Sequence, residues 1–317
     1  MVKSMFASIA GLKTHQSKLD VISNNIANVN TWGFKTRSAN FADAVYQNRI
    51  TGGGGNPVEG GSGGMNTSQL GFGVNMASIS TDFTTGSWSP TGNGLHCMIN
   101  GPSFFIVGSM RQQGVAADAI ADSGLNLTRV GIFSVDNRGY LVDDQGNYVY
   151  GYTYAGDQNG EATFEAGLTP IRIPVATGAD GSGDPTAANT FNPADDSPRV
   201  DIQSYSIAKD GTIIGIDQQE KPYTIGKIAV ATVQNPNGLE QSEGYLYTPG
   251  ENAGEVTATT AGNNAVGKIL SGYLEMANVD LATEIANMIT TQRGYQANSK
   301  IITVTDEMLE QLVNMKR

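Results

Sequence analysis

The sequence predicts a mainly β protein, with a β-rich central region flanked by long N- and C-terminal helices that carry coiled-coil-like apolar columns. Three observations predict it. Apolar residues recur at spacings of three, four and seven at the two ends of the chain, far from any other helical pattern. Between the ends the period drops to two, and turn signals of Asp, Asn and Gly multiply. Glycine reaches 40 copies while charged residues are only 15% of the 317, a composition suited to strands, turns and polar contact surfaces.

Residues Val2, Met5, Ile9, Leu12, Leu19, Ile22, Ile26 and Val29 predict one helix over 2–29. Met5, Leu12, Leu19 and Ile26 fall seven apart, forming one coiled-coil column; the other seam column reads Ile9, Gln16, Ser23. The helix then fills with amides at Asn24, Asn25, Asn28 and Asn30, although asparagine is roughly 0.6 kcal/mol worse than alanine in a helix. Gly33 is expected to end it in a left-handed turn that a Cβ would disfavour. Trp32 and Phe34 would then pack the exit against a neighbour or the next domain.

The C-terminal segment repeats the design over about 280–316. Leu281, Met288, Tyr295, Ile302 and Leu309 form the apolar column, and Ile285, Gln292, Ser299, Asp306 and Val313 the largely polar one. Asp280 is placed to cap the helix, with Glu284 near its positive end. Amides return at Asn287, Gln292, Gln296 and Asn298. Two such helices can cover one ordinary core or pack against other molecules. Their position at the two chain ends favours intermolecular packing, and polar seam residues can set register and partner.

In the middle, Asp136 to Gly139 and Asp143 to Gly146 read as tight turns between strands rich in Val, Tyr and Phe. Asp210-Gly211 reads as a hairpin tip, and 222–233 as one or two strands. Residues 51–66 are Gly-rich and cannot hold a core, and 176–199 carry almost no apolar residues. The expected organisation is therefore a helical assembly domain (1–34 with 280–317), a Gly-rich connecting segment (35–70), a β-rich central domain (71–155 with 200–279) and a small insertion or surface excursion (156–199).

Chemistry is hard to find. The glycines at 52–55 are not followed by Lys-Ser or Lys-Thr, so no phosphate loop is expected. His15 and His96 lack companions at metal-ligand spacing, and Cys97, the single cysteine, reads as a small buried apolar residue. Asp143-Asp144 and Asp195-Asp196 read as solvated turn acids, since no twelve-residue calcium loop surrounds them. No Ser-His-Asp set is present. Catalytic residues, cofactors and metals are all expected to be absent. The net charge of −11 disfavours nucleic acid and anionic membrane surfaces, and no apolar run reaches membrane-spanning length. Lys13 to Ser17 interrupt the apolar start, so a cleaved secretory signal is not expected.

Two stretches carry a resemblance. "LDVISNNIANVNTWGFKTRSANFADAVYQ" (19–47) resembles the N-terminal signature of the flagellar rod and hook axial proteins: Asn24-Asn25-Ile26-Ala27-Asn28, then Gly33-Phe34-Lys35. "GYLEMANVDLATEIANMITTQRGYQANSKIITVTDEMLEQLVN" (272–314) resembles the closing helix of the same family. Residues 71–107 and 128–143 are similar more loosely. They depart at Leu95-His96-Cys97-Met98-Ile99, where an Asp is usual after Leu, and at Ser103, where a second Gly is usual.

The resemblance implies a self-assembling structural subunit, not an enzyme, in a helical homopolymer. Terminal helices would pair in a coiled-coil-like inner layer and the β region would lie outside. It implies partners among the other axial proteins (rod, hook cap, hook–filament junction). It also implies passage through the flagellar type III export apparatus without a cleaved signal, to an extracellular place in the hook or basal body. Assembly contacts are expected at Met5, Ile9, Leu12, Leu19, Asn24, Asn25, Ile26, Asn28, Gly33 and Phe34, and at Leu281, Ile285, Met288, Gln292, Tyr295, Ile302 and Leu309. Amides both donate and accept, so they suit contacts with non-equivalent neighbours. "FADAVYQ" and "SISTDFTTGSWSPTGNGL" are more similar to the hook branch, a curved universal joint. The straight distal rod is the alternative, and an extracellular β-rich adhesin a third reading.

Overall fold

The structure, a computed structural model, describes residues 2–54, 63–111, 114–121, 123–158, 161–173, 202–217, 222–262 and 266–315. The excursion expected at 176–199, part of the Gly-rich run, and Lys316 and Arg317 lie outside the described residues. Two long helices bracket the chain, α1 (Val2–Ala27) and α2 (Leu281–Met315). Everything else described is strand, turn or short 3-10 helix, as the change of period predicts. The chain forms two compact units: residues 1–29, 36–82 and 279–317 in one, and 30–35 with 83–278 in the other.

In the first unit α1 and α2 pack together, accompanied by two small antiparallel pairs. Strand Arg37–Asp43 pairs with Val74–Thr81, and Tyr46–Ile50 with Ser68–Gly71. Regular strands thus occupy much of the stretch expected as connecting segment. Gly73, with φ +123°, lets this ribbon approach α1, because a Cβ there would lie 3.2 Å from the Ala7 Cα. Helix α1 stops earlier than the sequence pattern. Ala27 is its last residue, and the turn relaxes through Asn28 N–H to Asn24 O (3.1 Å) and Val29 N–H to Ile26 O (3.4 Å). Gly33 does take the left-handed conformation (φ +66°), but six residues beyond the helix end, in the exit turn rather than at the cap. At the other helix Asp280 caps as expected, its Oδ1 accepting Ala282 N–H at 3.1 Å.

The second unit is built on one antiparallel sheet. Its main path runs Ile202–Ile207, Thr212–Asp217, Pro222–Val233, Tyr148–Gln158, Phe104–Gly108, Asn126–Thr128, Leu246–Pro249, Leu239–Gln241. Alternation along the strands feeds two cores. Phe105, Val107, Val149 and Val230 face one cluster; Phe104, Ile106, Tyr150, Ala229 and Ala231 face the other. Burying both faces explains why "FFIVG" is a continuous apolar run rather than an alternating one. Each buried Phe or Val contributes about 1.5–3 kcal/mol.

The expected turns form at the expected places. Gly139 N–H reaches Asp136 O (2.8 Å) and Gly146 N–H reaches Asp143 O (3.1 Å); Gly211 has φ +84° between the strands it joins. Asp143 corrects the solvated-acid reading. It is buried, its Oδ1 accepting the backbone N–H of Gln145 and Asn147, both at 2.9 Å. A carboxylate so satisfied shapes a turn without facing water.

Gly131 sits where the chain passes Cys97, whose N–H donates to Gly131 O at 2.9 Å. A Cβ on Gly131 would collide with Cys97 O and lie 3.1 Å from Phe105 Cε2. Gly131→Ala is expected to destabilise the second unit by about 3 kcal/mol. Both tryptophans, Trp32 and Trp88, belong to that unit, so a lowered urea midpoint of tryptophan fluorescence checks this. An unchanged midpoint would mean the backbone is not held that close.

Candidate functional site

The helix pair is antiparallel, because Gly11 meets Asn298 while His15 meets Gly294. A Cβ on Gly11 would lie 2.7 Å from Asn298 Nδ2, and one on Gly294 2.8 Å from His15 Cε1. Each glycine receives a larger polar side chain from the other helix. The fully buried positions are small or polar: Ser8, Gly11, Thr14 and Asn25 on α1, relieved by Ile22, and Glu284, Thr291 and Thr305 on α2. Their hydroxyls are satisfied within their own helix. Ser8 Oγ donates to Ser4 O (2.9 Å), Thr14 Oγ1 to Gly11 O (3.0 Å) and Thr291 Oγ1 to Asn287 O (2.6 Å).

The columns read from the sequence are therefore not the seam inside the molecule. Met5, Ile9, Leu12, Leu19 and Ile26 are only half-buried, and Gln16 and Ser23 are exposed. On α2, Leu281, Ile285, Tyr295 and Leu309 are exposed by 42%, 48%, 39% and 37%; Gln292 is exposed, and Met288 and Ile302 half-buried. Ile289, Met308, Leu312 and Val313 are exposed as well. The physical reason is that a seven-residue period fixes an apolar stripe but not the surface that covers it. Close approach of α1 to α2 selects the small-residue stripe, leaving the larger apolar one outside. Helix α2 is also longer, 35 residues against 26, and the register places residues 308–315 beyond the start of α1.

The amides divide. Asn24 is exposed, and Asn28 is half-buried with Nδ2 donating to Asn24 O at 2.9 Å. Asn25 is 1% exposed. Its Nδ2 donates to Arg37 O (2.8 Å) and its Oδ1 accepts Arg37 N–H (3.1 Å). Both amide functions are spent on the first residue of a strand, so Asn25 fastens the ribbon to α1 instead of waiting for a variable neighbour. Gly33 is buried and donates its N–H to Glu275 O (2.8 Å); Phe34 is half-buried.

A set of residues that the sequence reading passed over lies in the second unit. Lys35 Nζ is 2.7 Å from Glu275 Oε1, with both side chains 1% exposed. Lys35 Nζ also donates to Thr84 O (2.7 Å), and Gly86 N–H donates to the same Glu275 oxygen (2.8 Å). Arg129 Nη1 stands 3.6 Å from Glu275 Oε2, and its guanidinium lies 5.0 Å from the Phe104 ring centre. Burial pushes the Arg129 pKa down, while Glu275 and Tyr247 hold it up. Lys35 closes the Gly-Phe-Lys signature and Glu275 precedes Met-Ala-Asn-Val-Asp, so the signal was in both end motifs. Nothing local says that they meet.

The other polar residues are quiet. Burial pushes the Cys97 thiol pKa up, which keeps it an unreactive thiol. His96 is held by Thr91, with Nδ1 2.9 Å from its hydroxyl. Among the described residues no group of three or more His, Cys, Asp or Glu is placed to hold a metal, and no helix is long and apolar enough to cross a membrane.

Comparison with known proteins agrees with the ends of the chain first. Residues 7–35 match the family described as flagella basal body rod protein, and residues 270–315 match the flagellar basal body rod FlgEFG protein C-terminal family. Over its whole length the chain is similar to the flagellar basal-body rod protein FlgG of Bacillus subtilis, at 36% identity covering 100% of both. It is similar to FlgG of Buchnera aphidicola subsp. Schizaphis graminum at 31%, covering 98% of this chain and 99% of that one. The flagellar hook protein FlgE of Borreliella burgdorferi is 28% identical, with 100% of both chains covered.

His15 makes the helix seam sensitive to pH. Its ring packs on Gly294 and meets Phe41 edge-on at 5.6 Å, and its Nδ1 is buried without a hydrogen-bond partner. Burial first and Lys18 second lower its pKa from 6.5. The unfolded chain then binds the proton more tightly than the folded one, so the stabilisation is complete above pH 6.5 and lost as pH falls through the lowered folded value. Protection factors for amide exchange in α1 and α2, corrected for the intrinsic exchange rate at each pH, are expected to fall below pH 6, and His15→Gln to flatten that dependence. Equal pH slopes in the two proteins would exclude His15 as the source.

Proposed function

The chain belongs to the flagellar rod and hook protein family, and from that premise we propose that it polymerises through its terminal helices into the hook, the curved joint that passes torque to the filament. As a member it is a structural subunit of the flagellar axis, located in the flagellum and assembled with other axial proteins. The finer steps are our reading. Subunits leave the cell through the flagellar type III apparatus with no cleaved signal, join rod, cap and junction proteins, and perform no catalysis.

One observation carries the polymer reading: the two helices bury their small residues against each other and leave large apolar side chains along α2 in water, all round the helix where it extends beyond α1. Leu281, Ile285, Ile289, Tyr295, Met308, Leu309, Leu312 and Val313 are all at least 37% exposed. Exposed apolar surface of this extent marks an interaction face, and a heterologous contact, in which one face of each subunit meets a different face of the next without closing into a ring, gives a helical assembly. The column Leu281, Met288, Tyr295, Ile302, Leu309, with Ile285 and Gln292 beside it, is the surface we assign to neighbouring copies. Met5, Ile9, Leu12, Leu19, Asn24, Ile26 and Asn28 offer the α1 side and Phe34 its exit, whereas Gly33, buried with its N–H on Glu275 O, shapes that exit from inside.

The hook assignment draws on the residues after Gly-Phe-Lys and agrees with the family. The rod reading has its own support, since the Bacillus and Buchnera relatives both carry the rod name. Electron microscopy of polymers grown from concentrated protein separates the two: curved tubes mark a hook, straight ones a rod.

Leu309→Asp or Leu281→Asp is expected to leave the second unit folded, with unchanged tryptophan emission, and to abolish tube formation and swimming. Each places a charge where an apolar side chain is to be buried, a cost of several kcal/mol per contact. Tubes of normal length from both variants would refute the assignment of this stripe.

A further inference from the structure

We infer that the buried Lys35–Glu275 pair is a mechanical clamp, the point through which force carried along the chain enters the second unit. The chain passes between its two units four times, at residues 29/30, 35/36, 82/83 and 278/279. On the second unit's side, each connection begins within a few residues of Glu275 or of a group bonded to it. Gly33 N–H donates to Glu275 O (2.8 Å) and Lys35 Nζ to its carboxylate (2.7 Å). Thr84 O accepts Lys35 Nζ (2.7 Å) and Asn278 Nδ2 (3.4 Å), and Thr84 Oγ1 accepts Asn278 Nδ2 again (3.2 Å). Gly86 N–H donates to the Glu275 carboxylate (2.8 Å), and Met276 N–H to Ser87 O (2.8 Å).

Three segments distant in sequence are thereby tied into one knot: 33–35, 84–87 and 275–278. The ion pair at its centre spans 240 residues. Gly86 is packed so closely against the last segment that a Cβ would collide with Met276 O. A pull on either terminal helix arrives at residue 30 or residue 278. Because those two ends are fastened to each other, such a pull shears the clamp before it peels any sheet strand. The pair is buried on both sides, so separating it exposes an uncompensated charge to a low-dielectric interior. Arg129 Nη1, 3.6 Å from Glu275 Oε2, places a second buried cation beside the carboxylate.

The clamp gives the proposed axial role a reason to need these residues, and that is the only respect in which it rests on that role. Its test uses the isolated full chain. Single molecules are pulled in optical tweezers along two axes: from the chain ends, and from handles on the turns at Asn137 and Glu243. Glu275→Gln is expected to lower the unfolding force of the second unit at least twofold along the first axis and leave it within about a fifth along the second. Asn278→Ala, which removes the bonds to Thr84 and leaves the ion pair in place, serves if Glu275→Gln does not fold, and is expected to lower the first axis alone. An equal drop along both axes, or none along the first, overturns the clamp and reduces the pair to ordinary stabilisation of the fold. Tube formation is scored separately, so failure to polymerise would count against the axial reading while leaving the clamp standing.

Discussion

A carboxylate removed from water must be met by charge and by hydrogen-bond donors, and Glu275 is where this protein faces that demand. Lys35 and the Gly86 amide donate to one of its oxygens, Oε1, and Arg129 places a second positive charge 3.6 Å from the other, Oε2, which accepts no hydrogen bond. Replacing the pair with apolar residues of similar volume can be neutral, whereas removing one partner costs about 3–5 kcal/mol. The pair therefore contributes more to which segments meet than to net stability. Once residue 35 is beside residue 275, the route of the chain into and out of the β unit is fixed.

The helix pair solves a different problem. A seam of Ser8, Gly11, Thr14, Thr291 and Gly294 brings two backbones close with little side-chain area between them. Such a seam wins less hydrophobic free energy than a leucine seam would, since the gain scales with apolar area buried. What it does instead is release the larger apolar side chains for contacts outside the molecule. Hydroxyls that bond back into their own helix also leave the seam without demanding partners across it, so its register rests on the glycines and their large opposites, Asn298 and His15.

Small residues recur at close approaches in both units. Gly11 and Gly294 seat a side chain from the opposite helix, Gly73 lets a ribbon lie on α1, and Gly86 and Gly131 let two backbones pass. The glycine count that looked like a sign of turns and linkers is thus partly a sign of tight crossings. Asn25 belongs to the same economy of space. Its side chain imitates a strand edge toward Arg37, which is why an amide stands in a helix that would otherwise prefer alanine.

The sequence by itself determined the kinds of element and their order. The 3.6-residue period at the ends, the two-residue period in the middle and the Asp-to-Gly turns at 136–139 and 143–146 are local properties, readable wherever neighbouring residues cooperate. The end motifs carried the family as well. Tertiary structure alone decided which stripe of each helix faces inward, since periodicity fixes an angle around the axis and not a partner. It also decided that Asn25 faces Arg37, that Asp143 is buried in its own turn, and that Lys35 meets Glu275. Each of these depends on segments brought together across the chain, and the pairing energy of a buried charge exists only after the fold has excluded the water around it.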